Sequence, residues 1–262
     1  MVDIKLIPFS FPSIPKVYCV FQTRSLEVGY GQNFLKGNLE DDYSGGNISY
    51  ATNDRFENVF AYRKILKNKI GYNFSELYQV HGDNIIFHPE CTALDDNIQK
   101  NIALHADGQA TSEKGIALMI KTADCQPILI AHKNGNYIMA LHVGWRGNKI
   151  NFIFSAIQQF CDKYAVKPSD LFVVRGPSLG PQESEFINFS SEWGEDFSQW
   201  YDDMNKTVDL WNLTRYQLHM SGIPINQIFS LDLCTRTLHR MFFSYRYSKK
   251  TGRQASLIWI AP

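Results

Sequence analysis

The sequence predicts an α/β (α+β) fold, in which a mixed β-sheet is covered by helices. Short apolar runs rich in β-branched and aromatic residues recur along the chain, and a few segments with helical spacing lie between them. No Pro/Ser-rich spacer, low-complexity run or internal repeat divides the 262 residues. We therefore predict that residues 1–262 form a single domain.

The composition argues against several classes of partner. The 26 Lys and Arg residues balance the 26 Asp and Glu residues, so no overall charge favours nucleic acid or an anionic membrane. The N-terminus lacks a signal-peptide pattern, and no apolar run approaches transmembrane length. The 5 cysteines are scattered without a C-x-x-C pair, which is typical of a reducing compartment. We expect a cytoplasmic monomer or homodimer that binds neither nucleic acid nor a membrane.

The N-terminal quarter predicts a strand, a long loop and a helix. Residues 17–22 are dominated by β-branched and aromatic side chains, which favour a strand. Residues 25–50 are rich in glycine and asparagine and predict a long surface loop. Residues 53–69 have apolar positions with helical spacing, and Asn53 or Asp54 is the expected N-cap.

The middle of the chain predicts a β-hairpin. Residues 76–87 read as a β segment interrupted just after His81, where a glycine lets the backbone bend. A buried strand over residues 116–120 follows. Residues 128–132 and 137–141 are two apolar runs separated by an Asn-Gly turn, the pattern of a β-hairpin.

The C-terminal half predicts further helices and closing strands. Apolar residues recur at i, i+3, i+4 and i+7 after the hairpin, which predicts a helix over residues 148–164. Two more helices are predicted at residues 191–200 and 209–220. The remaining predicted strands are residues 171–174, 228–231, 242–245 and 256–260.

Three residues form the predicted active site. The hairpin returns His142 to the end of the sheet where Cys125 leaves it, and His81 stands at a third strand end. A cysteine and a histidine at adjacent strand ends are either a nucleophile with its base or two metal ligands. With His81 they make a three-ligand set that leaves one position open on a tetrahedral Zn²⁺. Copper is chemically admissible, but a multicopper site needs many histidines in H-x-H pairs, which this chain lacks.

Neighbouring residues extend this prediction. Asp124 could orient a ligand, accept a proton or simply cap a turn. Trp145 offers a stacking face, and Arg146 offers a fork of donors for phosphate or carboxylate. The alternative for the last two is a core tryptophan beside a structural cation.

Four motifs stand in order along the chain: Gln79-Val-His81-Gly82, Ala106-Asp107-Gly108, Thr122-Ala-Asp-Cys125-Gln-Pro127 and His142-Val-Gly-Trp-Arg-Gly147. With Arg175-Gly-Pro-Ser-Leu-Gly-Pro181 and Thr251-Gly252-Arg253, they resemble the family variously called laccase-domain, polyphenol oxidase or YfiH-type proteins. The resemblance implies one domain of layered mixed β-sheets, related to cysteine-hydrolase-like toxin deamidases. It implies zinc held by His81, Cys125 and His142. This chain has Gln182-Glu183 where many members carry a cysteine pair.

The resemblance also implies an activity on purine nucleosides. The expected reactions are phosphorolysis of adenosine, inosine and methylthioadenosine, and deamination of adenosine. Arg146 is the first candidate to hold phosphate, with Arg63 and Arg175 behind it. Trp145 is a candidate to stack on the purine, and Asp124 to move protons.

Three alternatives remain open at this point. Cys125 could be a thiolate nucleophile with His142 as its base, cleaving an amide in a peptidoglycan precursor. The family name suggests a copper-dependent polyphenol oxidase. A structural zinc or a metal-regulated binding module is the non-enzymatic alternative.

Overall fold

The computed structural model describes residues 4–24, 43, 45–95 and 101–262. Most of the predicted loop at residues 25–50 therefore lies outside the described residues. Its last part, residues 45–50, is irregular as predicted, but residues 45–49 are buried and not on the surface. Within the described residues, no helix is both long and apolar enough to cross a lipid bilayer.

The described residues form thirteen strands and five α-helices. The strands are β1 Lys5–Phe9, β2 Val17–Thr23, β3 Asn73–Glu76, β4 Ile85–Phe87, β5 Gly108–Thr111, β6 Ile116–Thr122, β7 Gln126–His132, β8 Ile138–Val143, β9 Leu171–Arg175, β10 Tyr201–Asp202, β11 Thr207–Val208, β12 Ile228–Ser230 and β13 Gln254–Ile260. The helices are α1 Phe56–Ile70, α2 Trp145–Lys149, α3 Phe152–Tyr164, α4 Phe189–Glu192 and α5 Leu210–Met220.

Two mixed sheets carry most of these strands, which confirms the predicted α+β class. The five-stranded sheet has the order β1-β2-β13-β6-β3, and the six-stranded sheet has the order β12-β9-β7-β8-β5-β4. The pairs β3–β6, β4–β5 and β9–β12 are parallel, and the other pairs in these sheets are antiparallel.

The two sheets pack face to face, and helices cover their outer faces. On β6, Leu118 and Ile120 join the cluster between the sheets, whereas Ala117 and Met119 face the cluster that includes α1. The six-stranded sheet packs its outer face on α3 and α5. Alternate residues of a strand point to opposite faces, so both faces of these central strands are buried. This explains why their sequences are continuous apolar runs without alternation.

The predicted helices are largely confirmed, with two differences at their ends. Helix α1 begins at Phe56, and its N-cap is Arg55 rather than Asn53 or Asp54. The Asp54 side chain still accepts from the Arg55 N–H, at 2.8 Å. The predicted helix over residues 148–164 is two helices, α2 and α3, because Asn151 takes a left-handed conformation with φ 55°. Residues 191–200 contain the end of α4 and a 3₁₀ helix.

Two strand predictions are wrong, and each has a local cause. Residues 242–245 form no strand, since the Gln254 side chain accepts from the Phe243 N–H at 2.7 Å and donates to its carbonyl. Residues 77–80 form no regular strand, and a carboxylate accepts from the N–H groups of residues 80–82 in place of a neighbouring strand. The interruption at residues 81–84 and the strand that follows it are as predicted.

Candidate metal centre and its cavity

His81, Cys125 and His142 meet at one end of the six-stranded sheet. Their potential ligand atoms all lie within 4.8 Å of one another, and Cys125 Sγ is 3.8 Å from His81 Nε2. The two imidazole rings stand nearly perpendicular, with centroids 4.8 Å apart. In a tetrahedral site with bonds of roughly 2.0–2.3 Å, ligand atoms are about 3.3–3.8 Å apart. The three side chains therefore fit a single metal ion.

The β7–β8 hairpin brings Cys125 and His142 together, as predicted. Pro127 pairs with His142 and Gln126 with Val143, so Cys125 leaves the sheet just beside His142. Asp124 has φ 95°, and this left-handed conformation turns the chain sharply between β6 and β7. The hairpin register thus fixes two of the three candidate ligands.

His81 reaches the site from the irregular segment between β3 and β4, not from a strand end. The residue with positive φ is His81 itself, at 61°, rather than the glycine that follows it. The Asp107 carboxylate stabilises this unfavourable backbone conformation. It accepts hydrogen bonds from the N–H groups of Val80, His81 and Gly82 at 3.2, 3.0 and 2.7 Å.

Asp107 organises both histidines. Its Oδ1 also lies 2.7 Å from His142 Nδ1, and its backbone carbonyl accepts from the His142 N–H. A carboxylate on Nδ1 orients the ring and leaves Nε2 as the atom available for the metal. Sequence analysis placed Asp107 in a motif but gave it no role. The sequence feature that could have indicated its role is a carboxylate at the start of a strand that neighbours β8.

Gly144 makes room for the triad. A Cβ atom at this position would lie 2.9 Å from Cys125 Sγ and 3.1 Å from His81 Cδ2. Gly144 is the N-cap of α2, and its lack of a side chain allows the ligands to approach.

The electrostatics of the triad favour a charged pair. Burial raises the pKa of the Cys125 thiol, but His142 and His81 lower it further, so the net shift is downward. Burial lowers the pKa of His142, whereas Cys125 and Asp107 raise it more strongly. Asp107 has a pKa below its usual range, because its hydrogen bonds with His142 and with backbone N–H groups outweigh its burial. Both shifts favour a thiolate beside an imidazolium when no metal is bound.

The triad opens into a cavity of about 560 Å³. Asp124, Trp145 and Arg146 line it, so the structure brings these predicted residues to the triad. Its wall also contains Ser49, Tyr78, Gln79, Lys121, Phe186, Leu210, Tyr245, Arg246, Lys249 and Arg253. The cavity is large enough for a nucleoside-sized molecule.

Asp124 is fixed at the cavity wall by two donors. Its Oδ1 accepts from Thr235 Oγ1 at 2.6 Å, and its Oδ2 accepts from the Arg246 N–H at 2.5 Å. Trp145 packs against Phe186 and Trp193, with ring centroids 5.8 and 5.7 Å away. The indole is therefore part of an aromatic cluster, as the alternative interpretation held, while it also lines the cavity.

Two predicted substrate-binding arginines lie outside the cavity wall. Arg63 is fully buried beneath α1, where it forms an ion pair with Glu76 and donates to the Ile48 carbonyl. Arg175 is buried next to Asp232 and lies over the Trp211 ring, 4.4 Å from its centroid. It lines a separate recess of about 150 Å³. The structure thus does not bring either guanidinium to the triad.

Comparison with known proteins identifies relatives of this chain. A purine nucleoside phosphorylase YfiH from Shigella flexneri is 31% identical over 192 residues, covering 70% of this chain and 72% of the relative. A purine nucleoside phosphorylase from Xylella fastidiosa is 32% identical, covering 70% and 71%. A Neisseria meningitidis crystal structure of the DUF152 family aligns with a TM-score of 0.78 at 23% identity, covering 98% of this chain and 99% of that one. YlmD from Geobacillus stearothermophilus aligns with a TM-score of 0.76 at 21% identity, covering 96% and 94%.

These two structures share the fold of the described residues. The family model described as multi-copper polyphenol oxidoreductase laccase matches residues 34–261, a span that contains all three candidate ligands and Asp107. The chain belongs to this multi-copper polyphenol oxidoreductase laccase family.

Proposed function

We propose that this protein is a zinc-dependent enzyme of purine nucleosides. Its reactions are phosphorolysis of adenosine, inosine and methylthioadenosine, and deamination of adenosine. The observation that carries the proposal is the group of His81, Cys125 and His142 at the wall of a nucleoside-sized cavity. Support also comes from relatives at 31% and 32% identity that are named purine nucleoside phosphorylases.

The donor set favours zinc as the metal. One thiolate and two imidazoles are ligands of catalytic zinc, which keeps a position open for water or substrate. Copper accepts the same donors. When bound, the ion supplies Lewis acidity at the substrate. Among the described residues, these three side chains are the one group of three or more His, Cys, Asp or Glu residues with this geometry. A multicopper oxidase needs more ligands than this group contains.

The residues of the cavity support both reactions. Trp145 and Phe186 give the cavity an aromatic wall on which a purine can lie. Asp124 carries a fixed carboxylate at the same wall and is the group we assign to proton transfer, to the leaving purine or to the departing amine. Arg146, whose guanidinium lies over the Trp145 ring at 4.5 Å, is a cation available to an anionic co-substrate.

A second function is favoured by one specific observation. Asp107, His142 and Cys125 follow one another in the order of an orienting acid, a base and a thiol nucleophile. In this alternative Cys125 attacks an amide of a peptidoglycan precursor. Activity would then resist a chelator but disappear after thiol alkylation.

The test is a paired assay on protein whose metal content has been measured. The protein is incubated with adenosine and phosphate, with and without a chelator, and adenine, inosine and hypoxanthine are quantified. Products that vanish with chelator and return with added Zn²⁺ support the proposal. Protein that holds one zinc per chain and forms no product contradicts it. Activity on an amide that survives the chelator favours the second function.

A further inference from the structure

Basic side chains are concentrated around the cavity of a protein that is neutral as a whole. The chain has 26 basic and 26 acidic residues, yet among the residues that the structure describes five basic side chains line this cavity against the single carboxylate of Asp124. These basic residues are Lys121, Arg146, Arg246, Lys249 and Arg253. Such a concentration of one sign in a cleft attracts an anionic ligand.

The five cations are not equivalent. Lys121 is buried, and its ammonium group is engaged in an ion pair with Glu76. Arg146 and Lys249 are exposed at the rim and lie over the rings of Trp145 and Tyr245, respectively. Arg246 donates to the backbone carbonyls of Glu183 and Glu185.

Arg253 differs from these four because it is both immobilised and incompletely bonded. Its Nη1 donates to the carbonyls of Thr251 and Gly252, each at 2.9 Å. Within the described part of the chain, no carboxylate lies within ion-pair distance of it, and its Nε and Nη2 have no hydrogen-bond partner. One edge of the guanidinium is thus fixed by the backbone, and the other is free in a cavity that it lines.

The backbone that carries Arg253 is tightly held. The Arg253 N–H donates to Asn47 Oδ1 at 2.9 Å. A Cβ on Gly252 would lie 2.8 Å from Asn47 Cβ and 2.8 Å from the Phe243 ring, so this segment packs more closely than any other residue type allows. A donor group positioned before the ligand arrives loses little entropy on binding.

Arg253 lines the same cavity as Cys125 and Asp124. Burial lowers the pKa of Arg253, whereas the charges of Cys125 and Asp124 are the strongest influences that raise it. Those two residues lie at the turn that carries the candidate ligand thiol.

We propose that Arg253 binds the phosphate co-substrate of the phosphorolysis, with its free edge on two phosphate oxygens. This inference rests on the proposed function and names the anion site within it. A guanidinium edge matches two oxygens of a phosphate with two parallel hydrogen bonds. The half-buried Arg253 then takes the role that the sequence prediction gave to Arg63 and Arg175, while Arg146 and Lys249 guide the anion from the rim.

The reaction defines what this residue must hold. A phosphate oxygen forms a bond to C1′ of the ribose as the bond from C1′ to the purine N9 breaks. The electron pair of the broken bond stays on the purine, which takes up a proton. The product ribose 1-phosphate keeps the same phosphate on Arg253. Deamination of adenosine consumes water and no phosphate, so it does not need this contact.

The test compares the two reactions in Arg253→Met and Arg253→Lys. Arg253→Met should raise the KM for phosphate by about tenfold or more, the loss expected for hydrogen bonds to a charged group. Adenosine deamination should lose much less than phosphorolysis, because it uses no phosphate. Arg253→Lys keeps the charge but loses the second parallel hydrogen bond. Its phosphate KM should therefore lie between those of wild type and Arg253→Met. Arg240→Met, which removes an exposed arginine outside the cavity, should change neither reaction.

Several outcomes would overturn the inference. One is an unchanged phosphate KM in Arg253→Met. Another is an equal loss of both reactions in a variant with normal metal content and thermal midpoint, which would mean a general role in the site. Titration of inorganic phosphate into wild type and Arg253→Met by calorimetry tests the site without turnover. If wild type shows no phosphorolysis, the proposed function fails, while weaker phosphate binding by the variant still supports Arg253 as the anion site. If Arg253→Met does not fold, Arg253→Lys is measured in the same way.

Discussion

Two buried carboxylates, Asp107 and Glu76, perform opposite tasks in neighbouring parts of this protein. Both are nearly inaccessible, with exposures of 0% and 2%, and each has a pKa below its usual range despite burial. Asp107 accepts hydrogen bonds from three backbone N–H groups and from His142. Glu76 accepts from two cations, Arg63 and Lys121.

The difference lies in what each carboxylate leaves free. Asp107 uses backbone groups and the Nδ1 atom of His142, so the atoms that can hold a metal remain open to the cavity. Glu76 uses the charged ends of its partners, so Arg63 and Lys121 share one carboxylate inside the protein. A buried charge thus builds a reactive centre in one case and a structural link between α1, β3 and β6 in the other.

The largest effect should come from removing the ligand thiol. Cys125→Ala should lose bound metal and turnover together, because two imidazoles alone hold zinc poorly. Metal content by mass spectrometry and the nucleoside assay measure the two properties. Cys91→Ser removes an exposed cysteine that does not line the cavity and should retain both. Normal turnover by a folded Cys125→Ala protein would contradict both the metal site and the thiol nucleophile.

The next effect should come from Asp107→Asn. The substitution keeps the size of the side chain but removes the charge that orients His142 and supports the backbone at His81. Loss of such a partner costs roughly 10- to 100-fold in metal affinity or activity. Competition with a zinc indicator measures the affinity. Asp170→Asn, at a surface ion pair with Lys133, is the matched control. Equal zinc affinities in Asp107→Asn and wild type would mean that Asp107 does not position the ligands.

Gly144→Ala should have a smaller effect through the same centre. The added methyl group would lie 2.9 Å from Cys125 Sγ, so the thiol must shift. A displacement of a fraction of an ångström should cost about tenfold in zinc affinity. Gly147→Ala is a control in the same helix, because its Cβ would meet only ordinary contacts at 3.4 Å or more. If the two variants bind zinc equally, the close approach at Gly144 is not needed.

These contrasts also explain which parts of the site could be predicted from sequence. The hairpin was predictable because its two apolar runs and Asn-Gly turn are local, and its register brings Cys125 beside His142. The role of Asp107 was not predictable from the sequence. Its hydrogen bonds to residues 80–82 span more than twenty positions and depend on how β5 pairs with β8.

Prediction of the fold from the sequence meets the same limit, because local patterns do not reveal distant partners. Central strands such as β6 and β7 were predictable from their apolar runs, because both of their faces are buried. Residues 242–245 have an equally strand-like composition, yet Gln254 satisfies the Phe243 backbone with its side chain. Arg63 and Arg253 are both candidate anion-binding side chains in the sequence. Only the structure reveals that Arg63 is held in an ion pair with Glu76.

The smallest effect on turnover should come from Glu76→Gln, and its effect on stability should be large. The substitution leaves Arg63 and Lys121 as unpaired buried cations, which should lower the free energy of unfolding by about 3 kcal/mol at pH 7. Metal content and turnover of the folded protein should stay near wild type, because neither cation binds substrate in this assignment. Glu113→Gln, at a half-exposed carboxylate, is the control.

The pH dependence provides the decisive measurement for Glu76. Its pKa is lowered in the folded protein because Lys121 and Arg63 outweigh the burial that raises it. The carboxylate therefore contributes its full stability above its unfolded pKa of about 4.3, and this contribution is lost as the pH falls through the lower folded value. Urea unfolding of wild type and Glu76→Gln should differ most above about pH 5 and converge in stronger acid. A constant difference down to pH 3, or a loss of turnover with intact metal content, would show that Glu76 is not the purely structural counterpart of Asp107.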